Sequence, residues 1–234
     1  MKRLLAASCL LFAGSASADD FDIVNPDQAA FRSVSKDIVD AYSYKSLGPA
    51  EATGLTGFGI GAFGTYMSVS DEDAWQTLTG EDVSEIGMVG LALHKGLPFG
   101  VDLGAYYGYV PGADANLFGA EVRYAIWEGG VVSPALAVRG SYTTMTGIDD
   151  FDFSTYGLDL TASKGFAFLT PYVGIGQIWG QVDPSSSIPL DKEDVNHTRF
   201  FAGLRVSMLL FEITPEYEHI GSNDIFNLRL GFSF

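Results

Sequence analysis

Ten segments of this chain alternate apolar and polar residues with a period of two, and the connections between them alternate in length. The segments are 55–69, 84–95, 101–110, 117–127, 131–145, 154–164, 169–182, 197–209, 211–220 and 225–234. In 118–126, Phe118, Ala120, Val122, Tyr124 and Ile126 share one face, and Gly119, Glu121, Arg123 and Ala125 share the other. The stretch 200–208 repeats this, with Phe200, Ala202, Leu204, Val206 and Met208 opposing Phe201, Gly203, Arg205 and Ser207. A period of two is the signature of a β-strand with chemically distinct faces. "SDEDAWQTLTGED" and "DPSSSIPLDKEDVNH" are long connections, whereas "KGLPFG", "WEGG", "KGFAF" and "LLF" are short. An even number of strands with long loops on one side and short turns on the other predicts an all-β, antiparallel, up-and-down barrel of about ten strands over 54–234.

Whether the apolar face points inward or outward is set by other residues. "MKRLLAASCLLFAGSASA" opens with Lys2 and Arg3, continues with a short apolar stretch and ends on Ala16-Ser17-Ala18. This reads as a secretory signal peptide over 1–18, cut between Ala18 and Asp19. The apolar stretch is shorter than the about 20 residues a spanning helix needs. Cys9, the only cysteine, lies within it, so the exported chain has no disulfide to form. Beyond it no run of residues is long and apolar enough for a transmembrane helix. An exported chain can still cross a membrane as a closed barrel, the other structure that pairs every backbone group in lipid. Aromatic residues near strand ends (Tyr66, Tyr109, Trp127, Tyr142, Trp179, Phe211 and Tyr217) fit a membrane interface on an inside-out barrel. A soluble periplasmic barrel that binds a ligand remains the alternative, because its strands alternate too.

The last strand carries the most specific signal. Phe226, Leu228, Leu230, Phe232 and Phe234 alternate to the final residue. This resembles the terminal strand of Gram-negative outer-membrane barrel proteins, which end in Phe with apolar residues at every second position before it. The resemblance implies integral outer-membrane localisation, contact with lipid and lipopolysaccharide, and recognition of this strand by the barrel assembly machinery. It names a place and a route of biogenesis, and no cargo.

Residues 19–53 lack strand alternation. Phe31, Val34, Ile38 and Tyr42 recur at helical spacing, predicting one short amphipathic helix with Asn25 as N-cap and Pro26 at its first position. Inward glycines (Gly104, Gly108, Gly119, Gly157, Gly174 and Gly203) would let such a helix enter the lumen as a plug. A helix is about 10–12 Å wide, however. The narrowness of a ten-stranded barrel therefore favours a position under the short-turn mouth or on the inner leaflet.

The inward charges Asp102, Glu121, Arg123, Arg139, Asp159, Arg205, Glu212, Glu216 and Arg229 carry both signs on neighbouring strands. They are expected to form a paired network filling the lumen, since an unpaired buried charge is costly, rather than the selectivity lining of a narrow pore. The outer connections are acidic, with Asp71, Glu72, Asp73, Glu81 and Asp82 in the first, Asp149, Asp150 and Asp152 in the third, and Asp183, Asp191, Glu193 and Asp194 in the fourth. They are read mainly as solvated loops, with divalent cations as candidate partners. No calcium-loop spacing is present.

A formal net charge of −16 argues against nucleic acid, whose phosphates call for clustered Lys and Arg. No phosphate-binding glycine loop or metalloprotease motif is present, and no cofactor is indicated. His219 and Ser222 in "EHIGSND" faintly resemble the His-x-Ser motif of lipid A deacylases, with one extra residue between them. A lipid-acting hydrolase at His219 and Ser222 is therefore the alternative to a non-enzymatic structural, surface or narrow-channel role.

Overall fold

The computed structural model describes residues 21–130 and 132–234. The expected signal peptide and its cleavage site lie outside them. Ten strands form one closed barrel in which each pairs antiparallel with its neighbours in sequence. They are β1 (Phe58–Ser68), β2 (Glu85–Gly96), β3 (Val101–Val110), β4 (Ala115–Trp127), β5 (Ala135–Thr146), β6 (Phe151–Ser163), β7 (Leu169–Pro184), β8 (Glu193–Met208), β9 (Phe211–Ile220) and β10 (Asn223–Ser233). The seam between β1 and β10 runs from Gly59 opposite Ser233 to Met67 opposite Ile225. Closure leaves no strand edge with unpaired amides.

Side-chain direction decides between the two barrel types. Leu91, Leu93, Val122, Tyr124, Leu158, Leu160, Phe200, Phe226, Leu228, Leu230 and Phe232 are all exposed on the outer face. So continuous an apolar belt far exceeds the few hundred Å² a soluble monomer tolerates. The barrel is inside-out, as a transmembrane barrel must be, which corrects the soluble alternative. Outward tyrosines near one rim tie their hydroxyls to polar partners, with Tyr66 donating to Glu85 at 2.8 Å, Tyr109 to Asp114 at 2.7 Å and Tyr217 to Asp224 at 2.6 Å. An apolar ring with a wet tip suits the membrane interface.

The two mouths differ. Connections 69–84 and 185–192 make one the long-loop mouth, and β10 ends at the other, the short-turn mouth. The fourth outer connection is shorter than its sequence suggests, because β7 and β8 extend into it. The first is not merely a solvated acidic loop. Asp71 caps a second helix (α2, Glu72–Thr79) that ends on Gly80 in the left-handed conformation. Trp75 of α2 is fully buried.

The N-terminal helix (α1) spans Gln28–Tyr42, and its N-cap is Asp27, whose Oδ1 accepts from the amides of Ala29 and Ala30 at 2.9 Å. This corrects the Asn25 cap. The amides of Val24 and Asn25 both donate to the Leu78 carbonyl, which holds the chain against α2 and delays the helix. Phe31, Val34, Ile38 and Tyr42 are all buried.

Candidate functional site

The described N-terminal segment lies in the barrel and enters from the long-loop mouth. Its first contacts are with outer connections, the Ile23 amide donating to Asp150 and Gln28 Nε2 to the Asp191 carbonyl at 3.0 Å. Phe21 packs on Trp75 and Phe151, with ring centroids 5.6 and 6.3 Å away. The chain then descends, and every residue from Asp37 to Leu47 is buried. Near the short-turn mouth the Thr53 amide reaches Asp102 at 3.1 Å, and β1 begins five residues later. The position under the short-turn mouth is thereby corrected.

The width argument misses two features. Only the C-terminal half of α1 is fully enclosed, and from Ser43 the chain leaves the helix for narrower extended backbone. Gly180 also bares the β7 wall to the helix, since a Cβ there would lie 2.4 Å from Val39 Cγ2. Other inward glycines serve the wall itself, as at Gly203, where a Cβ would meet the Tyr172 ring at 2.3 Å.

The upper tier is a polar clasp around two helix carboxylates. Asp37 accepts from the Ser70 amide and hydroxyl at 3.1 and 2.7 Å, from Trp75 Nε1 at 3.0 Å and from Asn223 Nδ2 at 3.0 Å. It therefore binds α1 to the first outer connection and to β10. Asp40 takes the second Asn223 contact at 2.9 Å and faces His197 Nδ1 at 2.8 Å.

The middle tier crosses the lumen. Lys45 Nζ lies 3.2 Å from Glu218 Oε2 and donates to the Asp40 carbonyl at 2.9 Å. Glu216 accepts from the Leu47 amide at 3.0 Å and from the Tyr172 hydroxyl at 2.7 Å. Arg199 donates to the Tyr44 carbonyl and to Asp159. Arg139 reaches Asp159 at 2.6 Å and Glu121 at 3.4 Å. The wall thus grips the backbone of the threaded segment, a contact that is independent of its side chains.

The lower tier gathers the remaining charges. Arg123 reaches Asp102 at 2.7 Å and the Pro49 carbonyl at 2.8 Å. Arg205 lies 3.2 Å from Glu51 and 3.7 Å from Glu212, and Arg229 lies 3.5 Å from Glu212. A cavity of about 250 Å³ opens here between residues 46–53 and the wall.

The strand-parity reading names nine of these wall charges but leaves out Arg199 and Glu218. Both were legible, since Arg199 has the parity of Arg205 on β8 and Glu218 that of Glu216 on β9. Lys45, Asp37 and Asp40 were not, because they carry no strand pattern.

Phe226, Leu228, Leu230, Phe232 and Phe234 all face outward, and the first four lie along β10. His219 also points outward, its Nδ1 2.8 Å from Asp224 across the β9–β10 hairpin. Ser222 lies in the hairpin turn between them, and the carboxylate beside His219 is one the sequence motif did not suggest. Among the described residues no three acidic or histidine side chains converge as a metal site.

No family model matches the sequence, and no curated protein matches it. Several solved structures share the barrel form. The N-terminal β-barrel domain of OprF from Pseudomonas aeruginosa is 18% identical over 77% of this chain and 99% of that one, with a TM-score of 0.37. The outer membrane protein OprG from the same organism is 11% identical over 79% of this chain and 99% of that one, with a TM-score of 0.37. The transport unit of the autotransporter AIDA-I from Escherichia coli is 9% identical over 90% of this chain and 99% of that one, with a TM-score of 0.45. At these values the likeness adds nothing to the fold already described.

Proposed function

We propose that this chain is an integral outer-membrane barrel of a Gram-negative bacterium with a structural or surface role, its lumen stoppered by its own N-terminal segment. The observation that carries the reading is the unbroken burial from Asp37 to Leu47 inside the ring of strands. A stopper held by ion pairs and backbone contacts opposes the passage of a solute. In the narrow-channel reading the same inward charges would line an open pore, and here they are spent on one another and on the threaded chain. By the ordinary orientation of such barrels, the long-loop mouth faces outward and the short turns face the periplasm. Lipid and lipopolysaccharide then contact the outer belt, the assembly machinery reads the strand ending at Phe234, and the acidic connections meet any surface cations.

The test is reconstitution of the folded mature chain, recognised by its different gel migration before and after boiling, into planar bilayers. The expected result is a sealed bilayer with no steady unitary current. A stable open-channel conductance from the unmodified chain would overturn the stoppered reading. A lipid-acting hydrolase would instead release fatty acid from lipopolysaccharide or phospholipid vesicles and lose that activity in His219→Ala. The proposed role predicts no release from either chain.

A further inference from the structure

We propose that the cavity at the short-turn mouth is a binding site for a small oxyanion, phosphate or carboxylate in class, gripped by Arg205 and Arg229. The cavity of about 250 Å³ lies between Leu47, Gly48 and Glu51 of the threaded segment and Arg205, Glu212 and Arg229 of the wall. Liquid water takes about 30 Å³ per molecule, so the space exceeds what a few waters fill. Two guanidinium groups here share one buried carboxylate. Glu212 stands 3.5 Å from Arg229 and 3.7 Å from Arg205, both long for charge-assisted hydrogen bonds, which run about 2.7–2.9 Å. The second carboxylate near Arg205, Glu51, is a third exposed at the rim.

The donors are under-used in a specific way. Arg205 Nε and Arg229 Nε are both buried, and among the described residues neither has a hydrogen-bond acceptor. Buried donors without acceptors are rare in folded proteins and call for an explanation. The Arg229 side chain is 6% exposed and lies on bare backbone, since a Cβ at Gly61 would sit 2.8 Å from its Nε and one at Gly231 3.1 Å from its Nη2. That paving fixes the guanidinium against the wall. A planar fork with spare N–H groups matches the paired oxygens of phosphate or carboxylate, which a lysine would meet only as a point charge. Arg123, by contrast, is committed to Asp102 and the Pro49 carbonyl and supplies background charge.

The inference rests on the threaded segment, which forms one side of the cavity, but not on the membrane orientation, and anion binding is read separately from conductance. The folded mature chain in detergent micelles is titrated with inorganic phosphate, and in parallel with acetate, by calorimetry. Saturable binding of either anion is expected, weakened about tenfold or more in Arg205→Gln and in Arg229→Gln. Arg205 stands at the rim, so its variant keeps the test available if Arg229→Gln fails to fold. The absence of saturable binding, or binding of equal strength in Arg205→Gln, would overturn the proposal.

Discussion

Lys45 of the threaded segment and Glu218 of β9 face each other at 3.2 Å, with both side chains essentially inaccessible to water. The pair joins the stopper to the wall by charge, in a place where neither partner can turn to solvent. Removing one partner of a buried pair leaves an uncompensated charge, at a cost of about 3–5 kcal/mol. Lys45→Met and Glu218→Gln are each expected to lower the barrel's unfolding midpoint in urea, and the double variant to recover part of the loss. Single and double variants in one denaturation series give the coupling directly. Additive losses would mean that the pair contributes nothing as a pair.

The threaded segment sets the two ends of residues 21–57 at opposite mouths. Val24 is exposed at the long-loop mouth and Thr56 at the short-turn mouth. Cys9 is the one native cysteine and falls in the expected signal peptide, so in a chain processed there Val24→Cys and Thr56→Cys are clean reporters. In intact cells a membrane-impermeant maleimide is expected to label position 24 and spare position 56. After the outer membrane is permeabilised both are labelled. The reverse pattern would turn the barrel over, and labelling of both in intact cells would rule out a threaded segment.

Gly180 tests the fit of α1 against β7. A methyl group there would stand 2.4 Å from Val39 Cγ2, closer than carbon atoms pack. Gly180→Ala is expected to cost about 1–3 kcal/mol through overpacking and to raise hydrogen exchange along α1. Val39→Ala in the same chain makes room and restores protection. Exchange unchanged in Gly180→Ala would mean that the helix does not pack at that wall.

Asp37 is the acceptor on which three elements converge. Asp37→Ala leaves the Ser70 amide and hydroxyl and Trp75 Nε1 short of an acceptor. A buried donor left without a partner costs about 1–3 kcal/mol, so a loss on the order of 3 kcal/mol is expected. Limited proteolysis should then cut within 69–84 in the variant before it does so in the parent.

The strands were legible because lipid enforces a simple rule. Outward residues within the lipid belt are predominantly apolar, so Leu228 and Leu230 alternate with Asn227 and Arg229 regardless of what lies inside. The course of residues 21–53 was not legible. Lys45 is a single lysine in an unpatterned stretch, and its partner Glu218 lies 173 residues away. Helix width was the wrong guide, because Ser43 begins an extended course that a narrow lumen accepts. The long connections held a similar surprise, since Trp75 sits in an acidic stretch and looks solvated until the helix that buries it is seen.

The stopper is covalently joined to the wall it seals. Thr53 lies beside Asp102, and a few residues later the chain becomes β1, so a stopper that lost every contact above Leu47 would remain tied at the lower rim. Short flexible tethers hold their ends at an effective concentration on the order of millimolar. Redocking is then an intramolecular step, independent of how much protein the membrane carries. A competing occupant of the lumen has to match that local concentration as well as the contacts, so the ring would reseal whenever the competitor is diluted.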